Sequence, residues 1–160
     1  VLTGFDKQSG KIESKRTLVN GDVDSVTVHL AYMNDQLFGA AVETFTDKAF
    51  SGKFTIMVGF DAEGVVLGTD VLEHSETPGL GDKINKKKDE NFSPQFVGMN
   101  PAEKPLKVVQ DGGDVVAITA ATISSRAFCD AVERAHKAFS TLKSVNADNQ
   151  QTCEKEVVNE

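Results

Sequence analysis

Residues 53–74, "KFTIMVGFDAEGVVLGTDVLEH", are the strongest indication of the fold because they have the pattern of a β-hairpin. Apolar side chains recur at every second position in the first half and share one face of a strand: Phe54, Ile56, Val58 and Phe60. Residues 61–64 follow as a short turn that ends in Gly64, as expected for a turn with one left-handed residue. The stretch therefore predicts two antiparallel strands with one face on a core.

Four other segments also have strand patterns. Residues 25–32, "SVTVHLAY", alternate apolar and polar side chains, which predicts a half-buried strand. Residues 36–45, "QLFGAAVETF", predict a second strand or the chain's approach to one. Residues 106–110, "LKVVQ", and 114–118, "DVVAI", flank an Asp-Gly-Gly turn and predict a further pair of strands.

A long helix is predicted near the C-terminus. Ser124 or Ser125 can cap it, and the helix should run to about residue 143. Its apolar positions follow helical spacing: Phe128, Ala131, Val132, Ala135, Phe139 and Leu142. The fold class is therefore α+β, a mostly antiparallel β-sheet with a long C-terminal helix packed on it.

The two ends of the chain are polar. We interpret residues 1–24 as a poorly defined lead-in, residues 25–143 as the domain, and residues 144–160 as a frayed tail. The sequence begins at Val1 without an initiator Met, so we expect a mature or trimmed piece whose leader or membrane anchor is missing.

The composition excludes some classes of function. The 160 residues carry a formal net charge of −7, which argues against a nucleic-acid partner. No apolar run approaches the ~20 residues that cross a bilayer. Cys129 and Cys153 allow one disulfide or two free thiols.

Common catalytic and metal motifs are missing. Gly79-Leu80-Gly81 lacks the third glycine of a dinucleotide loop, since Ile84 stands there. No P-loop or Gly-x-Ser-x-Gly elbow is present, and His29, His74 and His136 have no paired ligand spacing, so we predict no metal site. Residues 86–88, three lysines, are interpreted as a solvated loop or as a docking point for an acidic partner.

Residues 117–126, "AITAATISSR", gather hydroxyls where the helix should begin. A helix N-terminus offers free N–H groups and a partial positive charge, which favour a phosphate. Thr122, Ser124 and Ser125 add hydroxyl groups, and the alanines at 120 and 121 leave room for a bulky group. Phosphate binding and simple capping by Ser124 both explain this pattern.

Two motifs make the sequence similar to the FMN-binding domain found in the G subunit of the Rnf electron-transport complex. One is "VLEHSETPGLGDKI" (71–84), which follows the hairpin "GKFTIMVGFDAEG" (52–64), and the other is "ITAATISSRAFCDAV" (118–132). The resemblance spans roughly residues 39–143. The C subunit of the sodium-translocating NADH:quinone reductase is a close relative of that family and an alternative identity.

The resemblance implies FMN as cofactor and a flavin transferase that esterifies the FMN phosphate to a threonine. That residue is Thr122, and Thr119, Ala120 and Ala121 match the positions before it. The residues implied to lie against the isoalloxazine ring come from the other motif: Glu76, Thr77, Gly79, Leu80 and Gly81. Ser124 and Ser125 would lie at the phosphate end. The family's Asp six residues before the threonine is Val116 here, with Asp114 about 7 Å away along a strand.

The same resemblance implies an electron-carrier subunit without a catalytic base of its own. Its partners are the other subunits of a membrane redox complex, with a flavin transferase during maturation. Family members are held to the inner membrane by an N-terminal helix, with this domain on the extracytoplasmic (periplasmic) face.

Two other functions compete with this one. The chain can be a reversible flavin- or phosphate-binding module, or a scaffold without covalent FMN, which the valine at 116 favours. A hydrolase with Thr122 or Ser124 as nucleophile needs a base, and His74 is the only loop candidate.

Overall fold

The computed structural model describes Leu2, Phe5, residues 8–19 and residues 25–156, with the backbone alone from residue 147 onward. The main elements of these residues are a five-stranded antiparallel sheet and one long helix. The strands lie in chain order across the sheet: β1 (Gly10–Leu18), β2 (Ser25–Met33), β3 (Gln36–Ala49), β4 (Gly52–Asp61) and β5 (Val66–Glu73). The helix α1 (Thr122–Glu156) packs on one face, mainly over β3. The α+β prediction is confirmed.

The β4–β5 hairpin is confirmed as predicted. The four apolar residues of β4 that share a face are at most 1% exposed and lie in the core: Phe54, Ile56, Val58 and Phe60. Gly64 has a φ of +92°, and the Asp61 carboxylate accepts hydrogen bonds from the N–H groups of Glu63 and Val65, both at 2.9 Å. Local sequence chemistry thus fixes this turn.

Residues 25–32 and 36–45 both form strands, β2 and β3. Asn34 and Asp35, between them, have φ values of 51° and 60°, as a two-residue hairpin turn requires. β3 is longer than the predicted segment because its pairing with β4 continues to Ala49 opposite Gly52.

The interpretation of the first residues as a poorly defined lead-in is wrong for residues 10–18. They form β1, which pairs with β2 from Gly10 opposite Met33 to Leu18 opposite Ser25. The alternation is inverted, since Ile12 and Leu18 are exposed while Glu13 and Lys15 are partly buried. Inward-pointing charges are a common way to protect a sheet edge. They also remove the alternation of buried apolar and exposed polar residues by which a strand is predicted from sequence.

The predicted ends of the helix are also wrong. α1 begins at Thr122, so neither Ser124 nor Ser125 caps it, and it continues through residues 144–156 to Glu156 instead of fraying. Residues 144–156 contain no Pro or Gly, which allows the helix to continue. The predicted apolar face is confirmed, with five residues buried and Leu142 partly buried: Phe128, Ala131, Val132, Ala135 and Phe139.

Residues 106–118 do not form the predicted pair of strands. The only pairing recorded in this described segment is one bridge between Val108 and Val115, beside a short 3-10 helix at Val109–Asp111. A Cβ at Gly113 would lie 2.0 Å from the carbonyl oxygen of Lys107, so the returning chain passes too close there for a larger residue. The limits of the domain, residues 25–143, stay a prediction.

Two further sequence questions have structural answers. Cys129 is buried and free, and Cys153 lies 24 residues further along α1, about 36 Å away, so the two cannot form a disulfide within one chain. Among the described residues, no helix has the length and apolar character needed to span a bilayer.

Candidate functional site

A cleft of about 330 Å³ lies where three segments meet: the β3–β4 turn, the loop after β5 and the first turn of α1. Ten residues line it: Phe50, Glu76, Thr77, Leu80, Gly81, Ala120, Ala121, Thr122, Ile123 and Ser124. Both sequence motifs therefore meet at one cleft, although more than 35 residues separate Gly81 from Ala120.

The backbone makes a sharp entry into α1. Ala120 has a φ of +61°, and the N–H of Ala121 donates to the carbonyl of Ile118 at 3.0 Å. The first helical hydrogen bond runs from the N–H of Ser125 to the carbonyl of Ala121 at 3.0 Å. The preceding N–H groups of the first turn therefore have no intrahelical partner and are available to an anion.

Thr122 is the first residue of α1 and is half-buried in the wall of the cleft. Within the described part of the chain, its hydroxyl makes no hydrogen bond. Its hydroxyl is thus positioned at the positive end of the helix dipole without a structural task of its own.

Glu76 joins the three segments around the cleft. It is 5% exposed, its Oε1 accepts a hydrogen bond from the N–H of Ser51 at 2.9 Å, and its Oε2 accepts one from the hydroxyl of Ser124. Both carboxylate oxygens are therefore used within the protein, so Glu76 lines the cleft chiefly as a clamp.

The loop after β5 is shaped around this clamp. A Cβ at Gly81 would lie 2.3 Å from Glu76 Oε2 and 2.9 Å from Ser124 Oγ, so a larger residue there would displace the two hydrogen-bonded side chains. The N–H of Leu80 donates to the carbonyl of Thr77 at 3.1 Å, which closes a turn. Leu80 is left 41% exposed at the cleft.

The structure brings seven of the ten predicted site residues to the cleft and leaves three out. Gly79 is in the same loop, with a φ of +76°, but does not line the cleft. Ser125 is fully buried and bonds only backbone, accepting from the N–H of Ile118 at 3.0 Å and donating to Ala121 at 2.9 Å. Thr119 is exposed and lines a different cleft.

Neither Val116 nor Asp114 lines the cleft at Thr122. Val116 is 63% exposed, and its backbone N–H and carbonyl are both bonded to the side chain of Gln95. Asp114 is not on a regular strand, and its carboxylate forms an ion pair with Lys104 in another surface cleft. The two residues therefore belong to separate clefts.

Sequence reasoning missed two residues of the cleft, Phe50 and Ile123, which are 70% and 48% exposed. Phe50 stands in a turn, where no periodic pattern distinguishes it. Ile123 resembles an ordinary helix residue in the sequence, although it lies off the buried face.

The residues at the cleft fit FMN. Free N–H groups and the Thr122 hydroxyl suit a phosphate, and three exposed apolar side chains suit a flat ring: Phe50, Leu80 and Ile123. The volume lies at the lower end of the range of roughly 300–1,000 Å³ found for ligand sites.

Other reactive groups do not form a hydrolytic site. His74 Nδ1 accepts a hydrogen bond from the N–H of Glu76 at 3.2 Å, and among the described residues it makes none with Thr122 or Ser124. Burial raises the pKa of the Cys129 thiol to about 12, so it is not a nucleophile at neutral pH. The described residues also contain no cluster of three metal ligands.

Comparison with known proteins identifies the family of the chain. The FMN-binding domain family matches residues 50–137. The chain is 40% identical to the G subunit of the ion-translocating oxidoreductase complex of Aliivibrio fischeri. The 118 aligned residues are 72% of this chain and 56% of that protein. The protein of the same name from Vibrio atlanticus is 33% identical over 152 residues, 91% of this chain and 69% of that protein.

A third relative, from Salmonella typhimurium, is also named as the G subunit of an ion-translocating oxidoreductase complex. It is 41% identical over 112 residues, which are 68% of this chain and 53% of that protein. The chain thus spans a little over half the length of most of the curated relatives it matches.

Proposed function

We propose, from the premise that this chain belongs to the FMN-binding domain family, that it is the electron-carrying G subunit of an Rnf-type ion-translocating oxidoreductase. FMN is its cofactor. In the proposal the FMN phosphate is esterified to the hydroxyl oxygen of Thr122. The names of the similar proteins support the complex, and the cleft supports the site.

One observation carries the covalent attachment. The Thr122 hydroxyl stands at the first residue of a long helix, in a cleft, without a hydrogen-bond partner in the described part of the chain. A serine or threonine that serves only as a cap bonds to the helix backbone, which this hydroxyl does not do. Attachment to the FMN phosphate would account for a hydroxyl group at this place.

The other residues hold and orient the cofactor. The N–H groups of Thr122, Ile123 and Ser124 stabilise the remaining phosphoryl charge. Leu80 would contact the flavin ring, and polar backbone groups of the loop at Thr77 and Gly81, which line the same cleft, would lie near its polar edge. When bound, FMN supplies one- and two-electron redox chemistry that no side chain here can supply.

Glu76 and Ser124 have a positioning task in this proposal. Their hydrogen bond, together with that from Ser51, holds the loop after β5 against the helix start. The distance between the ring site and the tether is therefore set by buried groups, as a preorganised site requires.

The proposed partners are the other subunits of the redox complex and, during maturation, a flavin transferase. Attachment to the inner membrane through an N-terminal helix, with this domain on the periplasmic face, belongs to the same proposal. A covalent tether suits that face because released FMN could not be replaced there.

The test compares Thr122→Val with Thr141→Val in protein made with a flavin transferase and exported. Valine keeps the shape of threonine and removes the hydroxyl, and Thr141 is an exposed threonine of the same helix that does not line the cleft. After denaturing electrophoresis the wild type and Thr141→Val should give a flavin-fluorescent band, and Thr122→Val should give none. A fluorescent Thr122→Val band would contradict the attachment site.

Reversible flavin binding without a covalent bond is the second candidate, and the position of Val116 favours it. The family's carboxylate is missing there, and Asp114 is engaged with Lys104 in another cleft. If the transferase needs that carboxylate, the protein binds FMN but releases it on denaturation. Flavin in the supernatant of denatured protein, with none on the polypeptide, distinguishes this case.

A further inference from the structure

Phe50 is unusually placed for a phenylalanine. It is 70% exposed, more than any other large apolar side chain among the described residues. It is also the only aromatic residue among those that line the cleft at Thr122 in the described chain. A turn between two strands does not need an aromatic residue, so its presence calls for another explanation.

The tip of the β3–β4 hairpin, residues 49–52, is held in place by hydrogen bonds from both sides. Ala49 pairs with Gly52, whose φ of +101° makes the turn tight, and the N–H of Ser51 donates to Glu76 Oε1 at 2.9 Å. Phe50 is therefore fixed at the cleft by its neighbour in sequence.

A second anchor ties the same end of β3 to α1. The Thr46 hydroxyl donates to Asp130 Oδ2 at 3.1 Å, and Lys48 Nζ lies 2.6 Å from Asp130 Oδ1. Asp130 is eight residues after Thr122, so these contacts connect the hairpin end to the first turns of the helix. These contacts set where the Phe50 backbone lies relative to Thr122.

We propose that Phe50 is a positioning residue that stacks on the isoalloxazine ring of FMN at this cleft. This inference rests on the proposed function for the location of FMN. Aromatic rings pair in offset-stacked or edge-on arrangements, and an exposed phenyl ring offers the flavin such a partner without a polar group. Leu80 and Ile123 supply the remaining apolar contacts.

The first experiment uses riboflavin, which has no phosphate and so tests the ring contact apart from the tether at Thr122. It compares apo wild type with Phe50→Leu and Phe50→Tyr. Loss of an aromatic pair worth about 0.5–1.5 kcal/mol corresponds to a rise in Kd of about 2- to 13-fold for Phe50→Leu. Phe50→Tyr keeps the ring and should bind as the wild type does.

The second experiment uses protein loaded with flavin by a transferase. Phe50→Trp places an electron-rich indole against the flavin and should quench its emission. Val145→Trp is the matched control, because Val145 is 49% exposed and lies on α1 about 35 Å from Thr122. Its flavin emission should equal that of the wild type.

The outcomes separate this inference from the proposed function. Equal riboflavin affinity of wild type and Phe50→Leu, or unquenched emission in loaded Phe50→Trp, overturns the role of Phe50. If no covalent flavin forms but the riboflavin Kd still rises in Phe50→Leu, the tether at Thr122 fails and the stacking role stands.

Discussion

The hydrogen bond between Ser124 and Glu76 gives the sharpest test of how the site is built. Ser124→Ala removes the hydroxyl that donates to Glu76 Oε2, and both side chains are buried, at 1% and 5% exposure. The carboxylate keeps only the N–H of Ser51 as a donor. A buried charged acceptor is then left partly unsatisfied.

The expected loss of stability follows from that desolvated oxygen. An unsatisfied buried polar group costs about 1–3 kcal/mol, and more when it is charged, so we expect about 2–3 kcal/mol for Ser124→Ala. In a chain of 160 residues, about 1 kcal/mol moves Tm by roughly 2–4 °C, so Tm should fall by about 4–12 °C.

Ser144→Ala is the matched control for this prediction. Ser144 is an exposed serine on the same helix, and its hydroxyl donates only to the carbonyl of Ser140 at 3.0 Å. Its free energy of unfolding should stay within about 0.5 kcal/mol of the wild type. Urea unfolding of the apo proteins, followed by circular dichroism, measures both changes.

A double-mutant cycle then isolates the pair. Ser124→Ala in a Glu76→Ala background should cost much less than in the wild type, with a coupling energy of about 0.5–3 kcal/mol. If Ser124→Ala destabilises no more than Ser144→Ala, or equally in both backgrounds, then Glu76 is not the clamp of the cleft.

Three further changes test the fold around the site. Ala120→Gly should stabilise the apo protein by about 0.5–1 kcal/mol in urea unfolding, because a left-handed φ of +61° costs alanine about 1–2 kcal/mol and glycine's greater unfolded-state freedom offsets part of the gain. A loss of stability would contradict that backbone strain. Thr44→Val should raise Tm, because the buried Thr44 hydroxyl has no partner among the described residues and leaving it so costs about 1–3 kcal/mol; an unchanged or lower Tm would show that the hydroxyl is satisfied. Burial and the charge of Lys143 lower the pKa of His136 in the folded protein. As the pH falls, the unfolded chain therefore binds a proton at this residue before the folded protein does. The free energy of unfolding should keep this contribution in full above pH ~6.5 and lose it as the pH drops below that value. His136→Gln should remove that part of the difference in unfolding free energy between pH 7.5 and 5.5, and an unaltered pH dependence would refute the assignment.

Periodic patterns predicted the elements whose buried face is regular. The residues of β4 and the apolar face of α1 from Phe128 to Phe139 repeat at strand and helix spacing, and each proved buried. β1 was not predicted because its apolar residues, Ile12 and Leu18, face solvent on a sheet edge. Edge protection inverts the pattern on which such a prediction depends.

Long-range contacts explain what was missed at the site. Ser124 looked like a helix cap because its local sequence allows one, but its hydroxyl is taken by Glu76, 48 residues away. Ser125 looked like a phosphate ligand but is buried against backbone. The two motifs predicted which segments meet, and only the fold shows which of their side chains reach the cleft.

Peptide mass spectrometry of protein made with its flavin transferase is the decisive measurement for the attachment of FMN. We expect the peptide containing Thr122 to be heavier by the mass of FMN less one water, with fragment ions that place the added mass on Thr122. An unmodified Thr122 in protein that has acquired flavin, or the added mass on Thr119 or a serine, would contradict the proposed tether.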